Sequence, residues 1–230
     1  MDEATRKKWV EEANKILKER IEYMQVYYPA VRDAYQNHYD WPNLDTLRDE
    51  ISVCVMLGLF QSAITLTNHF MESLLKNALI TKESKVKAPD DAVVKGQVID
   101  SLVNHFADVI KKYDNADLSN NINQACSLGL ITKKQKKQLH AFRKQFRNAY
   151  GHADKKKTFG DLTVPMKGIQ LENDKLRLDQ EAKPFVAALP IGQSIIQAMQ
   201  AKVYAPDYFL YLDNLARQIR VKLFGPIKSE

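Results

Sequence analysis

AITLTNHFMESLL, residues 63–75, lies in the middle of the longest helical pattern in the chain, which extends from about residue 44 to residue 80. Apolar side chains recur at three- and four-residue spacing and cover most sides of the predicted helix. A helix that is apolar on most sides is buried, so we expect this one at the centre of a helical bundle. Gly58 interrupts the pattern and is expected to kink the helix or to split it.

Amphipathic helical patterns flank the central one. Before it, residues 3–28 predict a helix that ends near Pro29, and a second short helix is expected from there to Tyr39. After it, a charged loop is expected at 81–91. Further helices are predicted at residues 92–113, at residues 118–128, from residue 133 onward, at residues 184–204 and at residues 207–223.

Alternating apolar and polar side chains at residues 160–178 predict a small β-hairpin between the helices. The predicted fold class is therefore all-α, a helical bundle with a hairpin insertion and C-terminal helices. We divide it into an N-terminal helical segment that packs on the bundle (1–43), a core (44–158), and the hairpin with the C-terminal helices (159–230), which are expected to belong to the same domain.

Composition places the chain among ordinary globular proteins. It has 230 residues, of which 45% are hydrophobic and 27% charged. Cys54 and Cys126 have no CxxC or ligand-spaced histidine nearby, so we expect buried thiols and no metal or other cofactor. The N-terminus has no apolar signal core, and the apolar run at 51–60 is too short to span a bilayer. A cytoplasmic location is expected, without a membrane partner.

Positive charge is concentrated in one segment. Residues 133–157 contain ten Lys or Arg and a single acid, Asp154, whereas the remainder contains 24 bases and 27 acids. Such a local field attracts polyanions, of which nucleic acid is the commonest. A lysine-rich helix face that is merely solvated would have the same composition.

The basic segment contains a trio of residues suited to phosphate chemistry. Gly129 and Thr132 predict the end of one helix and the start of the next, and Leu139, Phe142 and Phe146 form the predicted buried stripe of that second helix. Arg147, Asn148 and His152 follow at its end. Arginine binds phosphate oxygens, and histidine transfers protons near neutral pH. Gly151 allows His152 to leave the helical path and approach Arg147.

These residues resemble a known family. Arg147-Asn148 followed after three residues by His152, at the end of a basic amphipathic helix, is similar to the motif of the HEPN superfamily, and residues 63–75 resemble the central helix of such domains. The resemblance covers about residues 44–154. It implies a helical bundle that dimerises so that two motifs face one cleft, and RNA cleavage without metal, with Arg147, Asn148 and His152 as catalytic residues.

Arg143 and Lys144 are expected to contact the RNA backbone. Polar positions on the central helix, Asn68 and Glu72, either approach the site or are satisfied within the core, and the second interpretation is favoured. Some members of the family carry a tyrosine two residues after the histidine, which an antitoxin enzyme modifies. Asp154 stands there in this chain, so regulation by that route is not expected.

Three functions remain open at this stage. The first is an RNA endonuclease, a toxin or antiviral-defence effector that acts as a homodimer and is restrained by an inhibitor or antitoxin protein. The second is a non-catalytic module of the same fold that binds RNA or a nucleotide. The third is a helical domain that only binds other proteins. The intact set of Arg147, Asn148 and His152 favours the first.

Overall fold

The structure is a computed structural model that describes residues 2–39, 41–87, 97–147, 163–172, 175–186 and 190–226. Its described part is mostly helical, which confirms the predicted all-α class. The helices are α1 (Glu3–Gln36), α2 (Pro42–Met56), α3 (Phe60–Lys87), α4 (Gln97–Asp114), α5 (Leu118–Ser127), α6 (Lys133–Phe142) and α7 (Pro190–Phe224). A π-helical turn, Arg143–Arg147, follows α6 directly.

Helix α3 is the central element of the bundle. It packs against α2, α4, α5 and α7 and against the π-helical turn after α6. Its apolar side chains are buried on several sides, as the sequence pattern predicted; fully buried members are Ala63, Ile64, Phe70, Met71, Leu74, Leu75, Ala78 and Leu79.

Gly58 separates α2 from α3, so the long apolar pattern is split and not merely bent. Its φ angle of 71° lies in the left-handed region, where glycine is favoured. A Cβ atom at this position would also lie 2.7 Å from Cδ2 of Tyr23 on α1. Both the backbone conformation and the close approach of α1 require glycine here.

Two predicted helix ends at proline are wrong. Helix α1 continues through Pro29 to Gln36, and α7 continues through Pro206 to Phe224. Proline removes one backbone hydrogen bond and destabilises a helix by about 3 kcal/mol. Buried residues continue the apolar face beyond each proline, Val31 in α1 and Tyr208 in α7, and their packing offsets that loss.

The ends of α3 and α7 also differ from expectation. Helix α3 extends to Lys87, into the predicted loop at 81–91, where Glu83 forms a 2.7 Å ion pair with Lys112 of α4. Helix α7 begins at Pro190 and not at Pro184, since Pro184 lies in a strand.

That strand, β2 (Lys175–Val186), pairs antiparallel with β1 (Thr163–Glu172), with an irregularity between Lys167 and Ile169.

A buried arginine joins α1, α2 and α7. Arg48 of α2 is fully buried, and its Nε donates to Oδ1 of Asp213 on α7 over 2.7 Å. Arg217 donates to the other oxygen of Asp213 over 3.1 Å. Both guanidinium groups also donate to the carbonyls of Asp33 and Asn37, where α1 ends. Two cations at the carbonyl end of a helix are favoured by its dipole, so the cluster fixes the end of α1.

Tyr39 completes this cluster. Its hydroxyl donates to Asp213, and its ring lies 4.3 Å from the guanidinium carbon of Arg48. Burial raises the pKa of Tyr39, and the Asp213 carboxylate raises it further, so the hydroxyl keeps its proton and remains a donor.

Replacing Asp213 with Asn should destabilise the protein strongly. The Arg48 cation would stay buried without its nearest counter-charge, a change that typically costs about 3–5 kcal/mol. Urea denaturation followed by circular dichroism measures this free energy of unfolding. Asp207→Asn, an exposed position on the same helix, is the matched control and should change it by less than about 0.5 kcal/mol. If both variants changed the free energy of unfolding by a similar small amount, the role assigned to the Arg48–Asp213 ion pair would be contradicted.

Candidate functional site

The helix that carries the predicted motif starts at a defined residue. Thr132 and Gln135 form a capping box, in which Gln135 N donates to Thr132 Oγ1 over 3.2 Å and Thr132 N donates to Gln135 Oε1 over 2.8 Å. Gly129, with φ of 72°, ends the preceding α5 region. Both predicted boundary residues are confirmed. They set the register of α6 and therefore the face on which each later side chain lies.

The last turn of the motif helix is π-helical. Leu139 and Phe146 are buried on either side of the junction, and Phe142 packs partly buried against the core, so the predicted apolar stripe is confirmed. A π turn spaces its hydrogen bonds at five residues in place of four, and such turns are frequent at functional sites. Arg147 is the last residue of this turn.

Aromatic packing anchors this turn to α7 and α3. Phe146 stacks on Tyr208 with ring centroids 4.6 Å apart, and Phe142 lies 4.7 Å from the same ring. The Tyr208 hydroxyl donates a 2.9 Å hydrogen bond to Oδ1 of Asn68. Burial raises the pKa of Tyr208, and the nearby Glu72 carboxylate raises it further, so this donor stays protonated. Asn68 is therefore a buried residue whose side-chain oxygen accepts a hydrogen bond within the core, as the favoured interpretation predicted.

Arg147 forms an ion pair with Glu72 of α3. Its Nε donates to Glu72 Oε1 over 2.6 Å, and the two side chains are 38% and 30% exposed. Among the residues that the structure describes, Arg147 makes no other hydrogen bond. The guanidinium has five N–H donors, so those of its Nη atoms remain for an anion that approaches from solvent.

The favoured interpretation of Glu72 as a satisfied core residue is wrong. The sequence placed it at i+4 from Asn68, and a satisfied core role was favoured for both. In the structure Glu72 reaches the edge of the core and contacts the first residue of the motif. In the sequence, Glu72 is distinguished only as the one acidic residue of the mainly apolar stretch 63–75, and this does not identify its partner.

The other predicted site residues fall into two groups. Lys144 is exposed, and Arg143 is half-buried, with an Nε that is buried and has no hydrogen-bond partner within the described part of the chain. Asn148 and His152 lie outside the described residues. The structure thus brings Arg147 together with Glu72 and leaves the relation of Arg147 to Asn148 and His152 a prediction.

Exposed lysines cover the outer face of the motif helix. Lys133, Lys134, Lys137 and Lys144 are exposed, and Lys136 is half-buried. Residues 133–147 contain no acid, so this face is uniformly positive up to the Arg147–Glu72 pair. A surface of this kind attracts polyanions.

His140 lies within this positive surface, whose charges contribute to the shift of its pKa. Partial burial lowers its pKa, and Arg143, Lys136 and Lys144 lower it further. Its Nε2 lies 3.3 Å from Oδ1 of Asn123 on α5. Since that oxygen can only accept, the neutral imidazole carries its proton on Nε2 and donates it to Asn123. His140 is a neutral residue that joins α6 to α5, and not an additional cation at neutral pH.

Comparison with protein-family models, curated proteins and solved structures gives no match for this chain. Within the described ranges, no cluster of three or more His, Cys, Asp or Glu side chains has a spacing that could hold a metal ion. Nor is any described helix both long enough and apolar enough to cross a bilayer.

The stability of the protein should fall as His140 becomes protonated. The folded state lowers the pKa of His140, so the unfolded chain binds the proton more tightly. The neutral ring therefore contributes to the free energy of unfolding, and this contribution is fully present above the pKa of His140 in the unfolded chain, near 6.5. It is lost as pH falls from there toward the lower pKa of the folded state. Urea denaturation at pH values between about 7.5 and 5 measures the slope.

His140→Gln is the matched variant for this measurement, since its amide can still donate to Asn123 but does not titrate. The free energy of unfolding of His140→Gln should depend less steeply on pH than that of the wild type. Equal slopes for the two proteins would show that His140 does not contribute in this way.

Proposed function

We propose that the protein is a metal-independent RNA endonuclease of the HEPN type, which cleaves RNA at a site composed of two protomers. The proposal rests on the resemblance of the motif and on one structural observation, the Arg147–Glu72 pair at the end of a lysine-rich helix. That pair supports the proposal because it orients a guanidinium that is about one-third exposed and whose Nη atoms make no hydrogen bond to the described residues.

In this mechanism Arg147 binds the scissile phosphate. A preorganised cation stabilises the charge that develops on the phosphorane without a reorganisation step during reaction. Glu72 is a positioning residue, because it contacts Arg147 and not the proposed substrate. It also lowers the net charge beside the phosphate, so its benefit must come from orientation of the guanidinium.

Proton transfer is assigned to His152. One imidazole accepts the proton of the RNA 2′-hydroxyl as its oxygen attacks phosphorus, and an imidazolium donates a proton to the leaving 5′-oxygen. The two roles require two histidines, so a homodimer supplies one from each protomer. Asn148 orients His152 or bonds to the scissile group. Arg143 and Lys144 contact the RNA backbone beside the site.

The proposed biological role is that of a toxin or antiviral-defence effector, since uncontrolled RNA cleavage arrests a cell. Such an activity requires restraint, and an inhibitor or antitoxin protein is the proposed partner. The proposed site of action is the cytoplasm, where RNA substrates are available.

Cleavage of a fluorescently labelled RNA in the presence of EDTA tests the nuclease proposal. Arg147→Ala should lower kcat/KM by about 10²–10³-fold, and His152→Ala by about 10²–10⁴-fold. Glu72→Ala should lower kcat by about 10-fold or more, because the guanidinium loses its orientation. Arg32→Ala removes an exposed arginine of α1 and should leave cleavage unchanged.

The absence of cleavage by the wild type, under conditions in which circular dichroism shows a folded protein, would overturn the proposal. Full activity of Arg147→Ala or of His152→Ala would do the same. Loss of activity in both, with helicity retained, supports the assigned roles.

A non-catalytic RNA-binding module is the second candidate, favoured by the row of exposed lysines on α6. RNA affinity should then fall steeply with salt and survive His152→Ala. Replacing Lys133, Lys134 and Lys137 with Glu should reduce the slope of log K against log salt by about 2 for single-stranded RNA. Fluorescence anisotropy measures both quantities, and a slope that is unchanged in the triple variant would exclude this surface.

A further inference from the structure

A groove lies between α6 and α7, on the opposite side of the motif helix from His140. The two helices run antiparallel, since Gln135 of α6 bonds to Gln218 of α7 and Phe142 of α6 lies 5.2 Å from the ring of Tyr211. Between these two contacts the side chains separate and leave a volume of about 290 Å³. Sites for small molecules typically have about 300–1,000 Å³, so the groove is large enough for one small flat group.

The groove combines an apolar floor with polar walls. Leu215 is only 2% exposed and forms part of the floor, and Tyr211 is half-buried beside it. Much of the remaining lining consists of four carboxamide side chains, those of Gln135, Gln138, Asn214 and Gln218. An apolar surface next to amide donors and acceptors suits a flat, heteroaromatic ligand.

Hydrogen bonds orient three of these carboxamides. Oε1 of Gln135 accepts from the backbone N–H of Thr132, so its Nε2 is the end that donates to Oε1 of Gln218 over 2.8 Å. Gln218 in turn donates from Nε2 to Oδ1 of Asn214 over 3.1 Å. Because the backbone N–H can only donate, it fixes the direction of the whole chain. Asn214 therefore has its oxygen occupied and its Nδ2 donors open.

Two more groups of the groove are open to a ligand. Gln138 is exposed, and neither its carboxamide nor the hydroxyl of Tyr211 forms a hydrogen bond with any described residue. An aromatic ring with carboxamides beside it is a combination by which proteins bind unpaired nucleobases. The ring contacts the face of the base, and the amides bond to its edge.

Charge favours a ligand that carries phosphate. Lys134 lines the groove, and the exposed Lys133 and Lys137 adjoin Lys134 and Gln138 in the sequence. No acid is present among the described residues of the lining. A neutral ligand such as a sugar would gain nothing from these lysines, whereas they attract the phosphate of a nucleotide whose base enters the groove.

We propose that the groove between α6 and α7 binds one unpaired nucleobase of the RNA. The base packs against Tyr211, Asn214 Nδ2 donates to an acceptor on its edge, and the carboxamide of Gln138 donates or accepts beside it. Lys134 contacts the phosphate of the same nucleotide. This assignment deepens the proposed function and depends on it for RNA as the ligand.

The groove is separate from the proposed cleavage site. Gln138 precedes Arg147 by nine residues, which corresponds to about 14 Å along the helix. The bound base therefore belongs to a different nucleotide from the one whose phosphate Arg147 contacts. Since a paired base would not be free to enter the groove, the substrate is single-stranded at this position, and the groove contributes sequence preference away from the cleaved bond.

Titration of the full chain with nucleotides tests the groove without relying on cleavage. Side-chain amide signals of Asn214 and Gln138 are followed by NMR and assigned from their loss in Asn214→Ala and Gln138→Ala. Each of the four nucleoside 5′-monophosphates is added to about 10 mM, where a ligand of millimolar affinity is mostly bound. At least one should shift both signals. Ribose 5-phosphate, which has the phosphate but no base, should leave them unchanged.

Affinity for a fluorescently labelled single-stranded oligonucleotide with 2′-O-methyl riboses, which lacks the attacking hydroxyl, gives the second readout. Gln138→Ala should weaken binding about threefold or more, and Tyr211→Leu about fivefold or more. Neither substitution changes charge, so the slope of log K against log salt should stay that of the wild type. Gln124→Ala removes an exposed glutamine of α5 outside the groove and should bind like the wild type.

Equal shifts with ribose 5-phosphate would show that the groove binds phosphate alone, and the absence of any shift would show that it binds no base. Either result would overturn this proposal and leave the nuclease proposal to its own assay. Wild-type affinity of Gln138→Ala, a surface variant whose fold circular dichroism checks, would also overturn it. Base-dependent shifts in a protein that cleaves no RNA would contradict the nuclease proposal alone.

Discussion

The buried ion pair between Arg48 and Asp213 is the interaction on which the arrangement of the helices depends. Arg48 has no exposed surface, so its charge must be neutralised within the protein, and Asp213 provides this from α7. The same guanidinium binds the carbonyls at the end of α1. One side chain therefore fixes three helices. Tyr208, five residues before Asp213 on α7, supports Phe146, so the position of the motif helix depends indirectly on this pair.

The candidate site lies where α3, the end of α6 and α7 meet. Aromatic packing on α7 sets the position of the π-helical turn, and Glu72 on α3 sets the direction of the Arg147 side chain. Glu72 does not neutralise Arg147 by burial, since both side chains remain about one-third exposed. The result is a cation that is oriented but still accessible, at the end of a positive helix face. This combination is what binding of a phosphate requires.

Local features of the fold were predictable, and distant contacts were not. Thr132, Gly129 and the stripe of Leu139 and Phe146 follow from capping and periodicity, which act over a few residues. The helix end predicted at Pro29 is wrong because the packing of α1 on both sides of the proline outweighs the loss of one backbone hydrogen bond. Arg48 and Asp213 are 165 residues apart, and Arg147 and Glu72 are 75 apart. No local pattern specifies such partners, so the orientation of Arg147 came only from the structure.

We infer that Arg147 belongs to a site that cleaves RNA by attack of the 2′-hydroxyl of the RNA itself. The most direct measurement compares, in EDTA, an oligoribonucleotide with the same sequence carrying 2′-deoxyribose at the cleaved position, each incubated with the wild type and with Arg147→Ala. We expect the wild type to cleave only the ribonucleotide, leaving a 2′,3′-cyclic phosphate and a 5′-hydroxyl, and Arg147→Ala to cleave it about 10²–10³-fold more slowly. Equal cleavage of both substrates, or no cleavage of either by the wild type, would contradict it.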